Sequence, residues 1–177
     1  MTEKPDNPAP HPSPVPPGCR PLPNLFEGTS AHDCFGCAQH HPHGLRLRFV
    51  EDGDRVVCRW KPDSAFQSWN GILHGGIIAA ILDETAGWTV LHRFHCAAMT
   101  TRLDVKFLHP ALVSDSFLSA AAWPVGRRNE KIVVLRATLS DSSGTLCAEA
   151  EADYYLMDPA RSRAMGFPSG DPDPAAP

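Results

Sequence analysis

Hydrophobic and polar positions alternate in several short runs along this chain and switch to a helical period in one place. Gly44-Leu45-Arg46-Leu47-Arg48-Phe49-Val50-Glu51 alternates, and Asp52-Gly53-Asp54 offers a hairpin turn into the returning run 55–60. Alternation resumes over 101–108, closed by Pro110. It continues in the alanine-rich run 116–125, in 131–139 and, after the turn Asp141-Ser142-Ser143-Gly144, in 146–156. Between these groups lies GILHGGIIAAILDE (71–84), whose pattern predicts a helix over 76–90. The element order is β-β-α-β-β-β-β. Runs of strands around one helix predict an α+β fold of about six strands, with a curved antiparallel sheet packed on that helix. Strands and helices do not alternate, which argues against a doubly wound sheet.

Proline marks the limits of the folded unit. Nine of the 18 prolines fall between Pro5 and Pro23, and three more are Pro172, Pro174 and Pro177. Such segments bury too little apolar surface to offset their ordering entropy. Residues 1–25 and 160–177 are therefore expected to be disordered tails around one domain, 26–159. Hydrophobic residues make up 42% and charged residues 20% of the 177, a globular composition. A net charge of −4 gives no basic excess for nucleic acid or an anionic membrane. MTEKPDNPAP shows no apolar signal core, and no apolar run is long enough to span a bilayer. The expectation is a cytoplasmic protein whose six cysteines are free thiols.

The helix raises a chemical question. On a wheel, Ile77, Ile78, Ile81, Leu82 and Trp88 share one side; Gly76, Ala79, Ala80, Ala86 and Gly87 lie opposite, with Asp83 among them. A solvent face normally carries Lys, Glu or Gln, so both faces are expected to be covered. Glu84, near the boundary, reads as a solvated acid. From the wheel alone Asp83 is either a paired structural acid or a reactive one. The Gly75-Gly76 entry favours the second, because a helix N-terminus exposes unpaired N–H groups and glycine lets a ligand oxygen reach them. That is an oxyanion site. Gly75 and Asp83 are eight residues apart, about 12 Å along one helix. One reacting carbonyl cannot touch both, so a shared site requires a second copy of the chain.

These stretches resemble the hotdog-fold acyl-CoA thioesterases, the PaaI-like group in particular. Gln67-Ser68-Trp69-Asn70-Gly71-Ile72-Leu73-His74-Gly75-Gly76 resembles the family's loop and HGG motif, and Asp83 follows His74 at the spacing of its catalytic acid. Asp33-Cys34-Phe35-Gly36-Cys37 with Pro42-His43-Gly44-Leu45-Arg46-Leu47 resembles the entry segment of one subgroup. Residues 106–110 resemble the end of the strand after the helix, and Gly126-Arg127-Arg128 a turn before the fifth strand. The resemblance implies a homodimer or homotetramer acting on acyl-CoA. In it the Gly75 amide polarises the thioester carbonyl, and Asp83 of the other subunit is general base or nucleophile. The position that often holds Asn, six residues before the HGG histidine, is Ser68 here, with Asn70 two residues on.

The expected chemistry needs little else, since a thiolate leaves readily and hydrolysis then requires carbonyl polarisation and an activated attack. One oxyanion donor contributes about 3 to 4 kcal/mol. His74 is read as fixing the loop that presents Gly75, and Gly76, Gln67 and Asn70 as substrate contacts. The phosphates of coenzyme A call for cations, for which Lys106, Arg127, Arg128 and His109 are candidates. Phe66, Trp69 and Trp88 are candidates for an acyl or aryl pocket, or for ordinary core. Cys34 and Cys37 with the histidines around them invite a zinc reading, but no second cysteine pair follows at finger spacing, so no metal and no cofactor is expected. A binding module that holds acyl-CoA without hydrolysing it is the alternative; a reactive Asp83 would have no task there.

Overall fold

The computed structural model describes residues 18–27 and 32–167. Seven strands form one antiparallel sheet: β1 (Arg20–Pro21), β2 (Phe49–Asp52), β3 (Arg55–Trp60), β4 (Ala98–Phe107), β5 (Leu118–Asn129), β6 (Ile132–Ser140) and β7 (Leu146–Leu156). Their spatial order is β1-β2-β3-β5-β6-β7-β4. The long helix α1 (Gly75–Phe94) lies between β3 and β4 in sequence and packs on the sheet, and a short helix α2 (Pro159–Ala164) follows β7. The expected α+β class and strand order are present, with β1 as an additional strand.

The packing follows from alternation. Along β5, Leu118, Ala120 and Ala122 are buried; along β6, Val133, Leu135, Ala137 and Leu139; along β7, Ala148, Ala150, Ala152 and Tyr154. Alanines at the middle of this face let a helix lie close to the backbone of the sheet. Against them α1 sets Ile78, Ile81, Leu82, Ala86 and Val90. Each large aliphatic side chain so buried contributes about 1.5 to 3 kcal/mol. Thr85 and Thr89 are wholly buried too, and their hydroxyls donate to the Ile81 and Thr85 carbonyls at 2.7 and 2.9 Å. Ala86 thus belongs to the core face, a correction to the wheel. The remaining small side, Gly76, Ala79, Ala80 and Gly87, is exposed or half-buried in the single chain.

Several boundaries differ from the expected ones. The first long strand begins at Phe49 rather than Gly44, because Arg46 takes a positive φ of 54°. The Leu45 and Leu47 amides donate instead to the Phe35 and Gly36 carbonyls, tying this stretch to the Cys34–Cys37 turn. β5 extends past Val125, so Arg127 and Arg128 lie in a strand and not in a turn. The turn falls at 130–131, where Asn129 Oδ1 accepts from the Lys131 and Ile132 amides at 2.9 and 3.0 Å. Pro124 is tolerated because it sits at a bulge, beyond the last residue of β5 that pairs with β3. Arg20–Pro21 and 159–164 are ordered elements within segments expected to be tails; residues 1–17 and 168–177 lie outside the described residues.

Glu51 explains the order around β1. Its carboxylate accepts from Arg20 Nε at 2.8 Å and pairs with His92 Nε2 of α1 at 3.0 Å. These two bonds, His92 first and Arg20 second, hold the Glu51 carboxyl below its ordinary value of 4.5. A depressed carboxylate stabilises the fold above the unfolded-state value, and that contribution fades as pH falls through the folded one. Glu51→Gln should therefore lower Tm at neutral pH, with the gap to wild type closing as pH drops below 4.5. Thermal melts between pH 3 and pH 7 (roughly the span of carboxylate titration) check this; a gap that widens in acid would contradict it.

Candidate functional site

The entrance to α1 is built by its cap. His74 has extended backbone angles (φ −65°, ψ 133°), and its Nδ1 accepts the Gly76 N–H at 2.9 Å. An accepting Nδ1 puts the proton of the neutral ring on Nε2. The His74 amide donates to the Phe66 carbonyl, and the Ser68 amide to Ile72, closing the loop 66–74. Gln67 Oε1 accepts from the Gly71 amide at 3.3 Å, at a turn where Gly71 takes φ 79°. Gly76 therefore does not offer its amide outward, contrary to its expected role as a substrate contact. The Gly75 N–H has no acceptor among the described residues. The Phe107 ring lies beside it, 3.4 Å from where a Cβ on Gly75 would stand. Asn70 and Trp69 are exposed on the same loop, Trp69 by 82%.

Two turns along α1, Asp83 is held by hydroxyls. Its Oδ1 accepts from Tyr154 Oη at 2.6 Å and Thr100 Oγ1 at 2.9 Å. Oδ2 has no partner among the described residues. One oxygen orients the carboxylate and the other is left for water or a carbonyl carbon. Burial and then the Asp83 charge push the Tyr154 phenol well above its ordinary value, so it remains a donor. Neither Tyr154 nor Thr100 was anticipated. The signal for Tyr154 was the alternation of β7, which puts it in line with Ala148, Ala150 and Ala152.

Asp83 opens into a cavity of about 480 Å³. Its walls include Phe26, Glu84, Trp88, Leu91, Thr100 and Phe167. Of the expected pocket aromatics only Trp88 is there; Phe66 packs on Trp60, and Trp69 points to solvent. Both segments expected to be tails contribute, through Leu25 and through Met165, Gly166 and Phe167. The cause is apolar contact, with the Phe26 and Phe167 rings meeting edge to face at 4.8 Å.

Glu84 is not a solvated acid. The segment 32–38 covers that side of α1, bringing Cys34 Sγ within 3.5 Å of Glu84 Oε1, while Trp88 Nε1 donates to the same oxygen at 3.3 Å. Burial foremost, with the Cys34 charge behind it, raises the Glu84 carboxyl to about 7. A hydrogen bond from the Cys37 thiol, aided by backbone amides, lowers Cys34 to about 5, and the same bond with burial drives Cys37 up. The wheel missed this because the covering segment lies some fifty positions earlier in the chain.

The candidate cations are scattered. Lys106 pairs with Glu149 at 3.2 Å on β4, beside Phe107 in sequence but on the opposite face of the strand. Arg128 pairs with Glu151 and Asp153. The Arg127 guanidinium sits 5.3 Å from the Phe94 ring, at the last residue of α1. That is nineteen residues from Gly75, about 28 Å along the helix. One chain therefore does not bring Arg127 to Gly75. His109 Nδ1 lies 2.9 Å from the Leu146 carbonyl, a loop contact.

Residues 70–148 match the family model of the thioesterase superfamily. Among solved structures, AziG of S. sahachiroi is 27% identical, with 64% of this chain and 92% of that one covered and a TM-score of 0.57. PaaI of E. coli, from the phenylacetic acid degradation operon, is 16% identical over 64% and 81% of the two chains, with a TM-score of 0.58. A hypothetical thioesterase of Streptococcus pneumoniae, solved with coenzyme A, is 17% identical over 59% and 82%, with a TM-score of 0.55. The fold is the hotdog fold of these solved structures. A protein of Saccharolobus solfataricus provisionally named an esterase is 27% identical over 104 residues, 58% of this chain and 72% of that one. In this hotdog protein the matched region starts at Asn70 and ends at Ala148. It holds the His74 cap and Asp83 but leaves out Tyr154 and the Cys34–Cys37 segment. No helix among the described residues is long and apolar enough to cross a membrane.

The cap geometry gives His74 a measurable structural role. His74→Ala leaves the Gly76 amide without its acceptor and should cost about 1 kcal/mol, as other N-cap deletions do. His74→Asn, a good N-cap residue, should recover most of it. Urea unfolding of the three proteins checks this; equal stability throughout would contradict it.

Proposed function

We propose that the protein is an acyl-CoA thioesterase whose sites each combine Gly75 of one subunit with Asp83 of another. One observation carries this. An unpaired helix-end amide and a carboxylate with one free oxygen lie on the same helix, about 12 Å apart. Each is suited to one half of the reaction, and neither can serve the other's carbonyl within a chain. The exposed edge of β4 supports the assembly: ten residues long and, among the described residues, paired only with β7, it is a ready template for a second sheet.

In this reading the thioester oxygen accepts from the Gly75 N–H at the positive end of α1. Asp83 Oδ2 of the second subunit takes a proton from water as that water attacks the carbonyl carbon; or Oδ2 attacks it directly, and after the thiolate leaves water cleaves the resulting mixed anhydride to free acid and Asp83. Tyr154 and Thr100 hold Oδ1 and set the direction of the free oxygen. The tetrahedral intermediate then expels the coenzyme A thiolate. Gln67 and Asn70 lie on the loop that leads into Gly75, where the carrier would enter, and Lys106 on β4 is a further candidate for its phosphates. Arg127 and Arg128 would reach its phosphates only from the partner subunit.

Gly75→Pro deletes the donor while keeping a residue that suits the first helical position. It should lower thiol release from acyl-CoA esters by about 10² to 10³-fold. Asp83→Asn should abolish release. Tyr154→Phe, which keeps the ring but leaves Oδ1 with Thr100 alone, should reduce it less. Unfolding and refolding an equal mixture of Gly75→Pro and Asp83→Asn should restore about a quarter of wild-type activity, since half the dimers are mixed and each holds one intact site. No restoration, or a fully active monomer, would overturn the shared site. Tight binding of acyl-CoA with no thiol release from any ester would replace hydrolysis with a binding role.

A further inference from the structure

His32, Cys34 and Cys37 present Nε2 and two Sγ atoms that all lie within 4.8 Å of one another. Cys37 Sγ is 3.3 Å from His32 Nε2, and Cys34 Sγ is 3.5 and 3.6 Å from the two Glu84 oxygens. A tetrahedral zinc with bonds of about 2.3 Å to sulfur and 2.0 to 2.1 Å to nitrogen or oxygen keeps its ligand atoms about 3.5 to 3.8 Å apart. The cluster is already close to that spacing.

Three further features point the same way. The turn is closed by the Ala38 amide donating to the Cys34 carbonyl, and the Gly36 amide donates to Cys34 Sγ at 3.3 Å, a bond that favours thiolate. A Cβ on Gly36 would stand 2.5 Å from Glu84 Cδ and Oε2, so glycine is what admits the carboxylate to the cysteine pair. Glu84 also lacks a cationic partner: its hydrogen-bonding neighbours among the described residues are Cys34, Cys37 and Trp88. An enclosed acid beside thiols is costly unless a positive charge offsets it.

We propose that His32, Cys34, Cys37 and Glu84 bind one zinc ion, which clamps the segment 32–38 to α1 beside Asp83. Two thiolates, an imidazole and a carboxylate suit zinc; sulfur donors argue against magnesium and calcium. With four protein ligands the ion is structural. It replaces the missing second cysteine pair with a histidine two residues before Cys34 and an acid from the helix. Because Glu84 is next to Asp83, and all four ligands line the cavity, the ion fixes one wall of it.

Full-length protein, made without added metal and purified under reducing conditions, should contain about one zinc per chain by elemental analysis. Cys34→Ser and Cys37→Ser should lose it, while Cys19→Ser should keep it. Replacing zinc with cobalt(II) should give thiolate charge-transfer absorption and intense tetrahedral d–d bands. Glu84→Gln should weaken zinc at least about ten-fold in competition with a chromophoric chelator. If the cysteine variants fail to fold, the cobalt spectrum of wild type and zinc affinity of His32→Ala decide. Substoichiometric zinc together with no cobalt bands in the reduced protein overturns the proposal, as does a Cys34–Cys37 disulfide in place of the metal. Unchanged affinity in Glu84→Gln removes Glu84 from the ligand set.

Discussion

A twenty-residue helix lies close to the backbone of a sheet where the side chains beneath its centre are small. Here Ala120, Ala122, Ala137, Ala148, Ala150 and Ala152 supply that face, and α1 fills it with Ile78, Ile81, Leu82 and Val90. The rest of the molecule depends on this fit. It fixes which side of α1 is committed to the core, and so which side presents Asp83, Gly76 and Gly87. It also fixes the distance to the helix of Tyr154, which follows three alanines in the buried row of β7.

From that placement the two ends of the proposed chemistry separate. The N-terminus of α1 is shaped by a local device, the His74 side chain folding back on the Gly76 amide. This leaves Gly75 as the outward donor, where two adjacent glycines had suggested a pair. Asp83 is shaped by long-range packing, with one donor from β7 and one from β4. A helix is rigid over this span, so the two groups stay about 12 Å apart. That separation is what leads us to propose a site shared between subunits.

The segments flanking the domain complete the cavity. Proline-rich composition suggested disordered tails, yet Leu25 and Phe167 join Phe26 in lining the cavity beside α1. The 32–38 turn does more. It converts Glu84 from an edge residue of the helix into an enclosed acid facing two thiols. That acid lies immediately after Asp83, so whatever fixes the turn also shapes the surroundings of the carboxylate proposed to react.

Alternation and helical period by themselves determined the α+β class, the strand order after Gly53 and the location of α1, because those patterns record which side of each element is buried. The HGG entry, Asp83 and their separation were also legible, since helical rise converts spacing into distance. Other features depended on residues far apart in sequence. Tyr154 and Thr100 meet Asp83 only after β4 and β7 pair. Arg127 lands against Phe94 because β5 runs on through a bulge, and Glu84 is enclosed because the 32–38 turn, tied to Leu45 and Leu47 by backbone hydrogen bonds, lies against it. Periodicity along one element states that a face is covered; which residues cover it is decided by the tertiary fold.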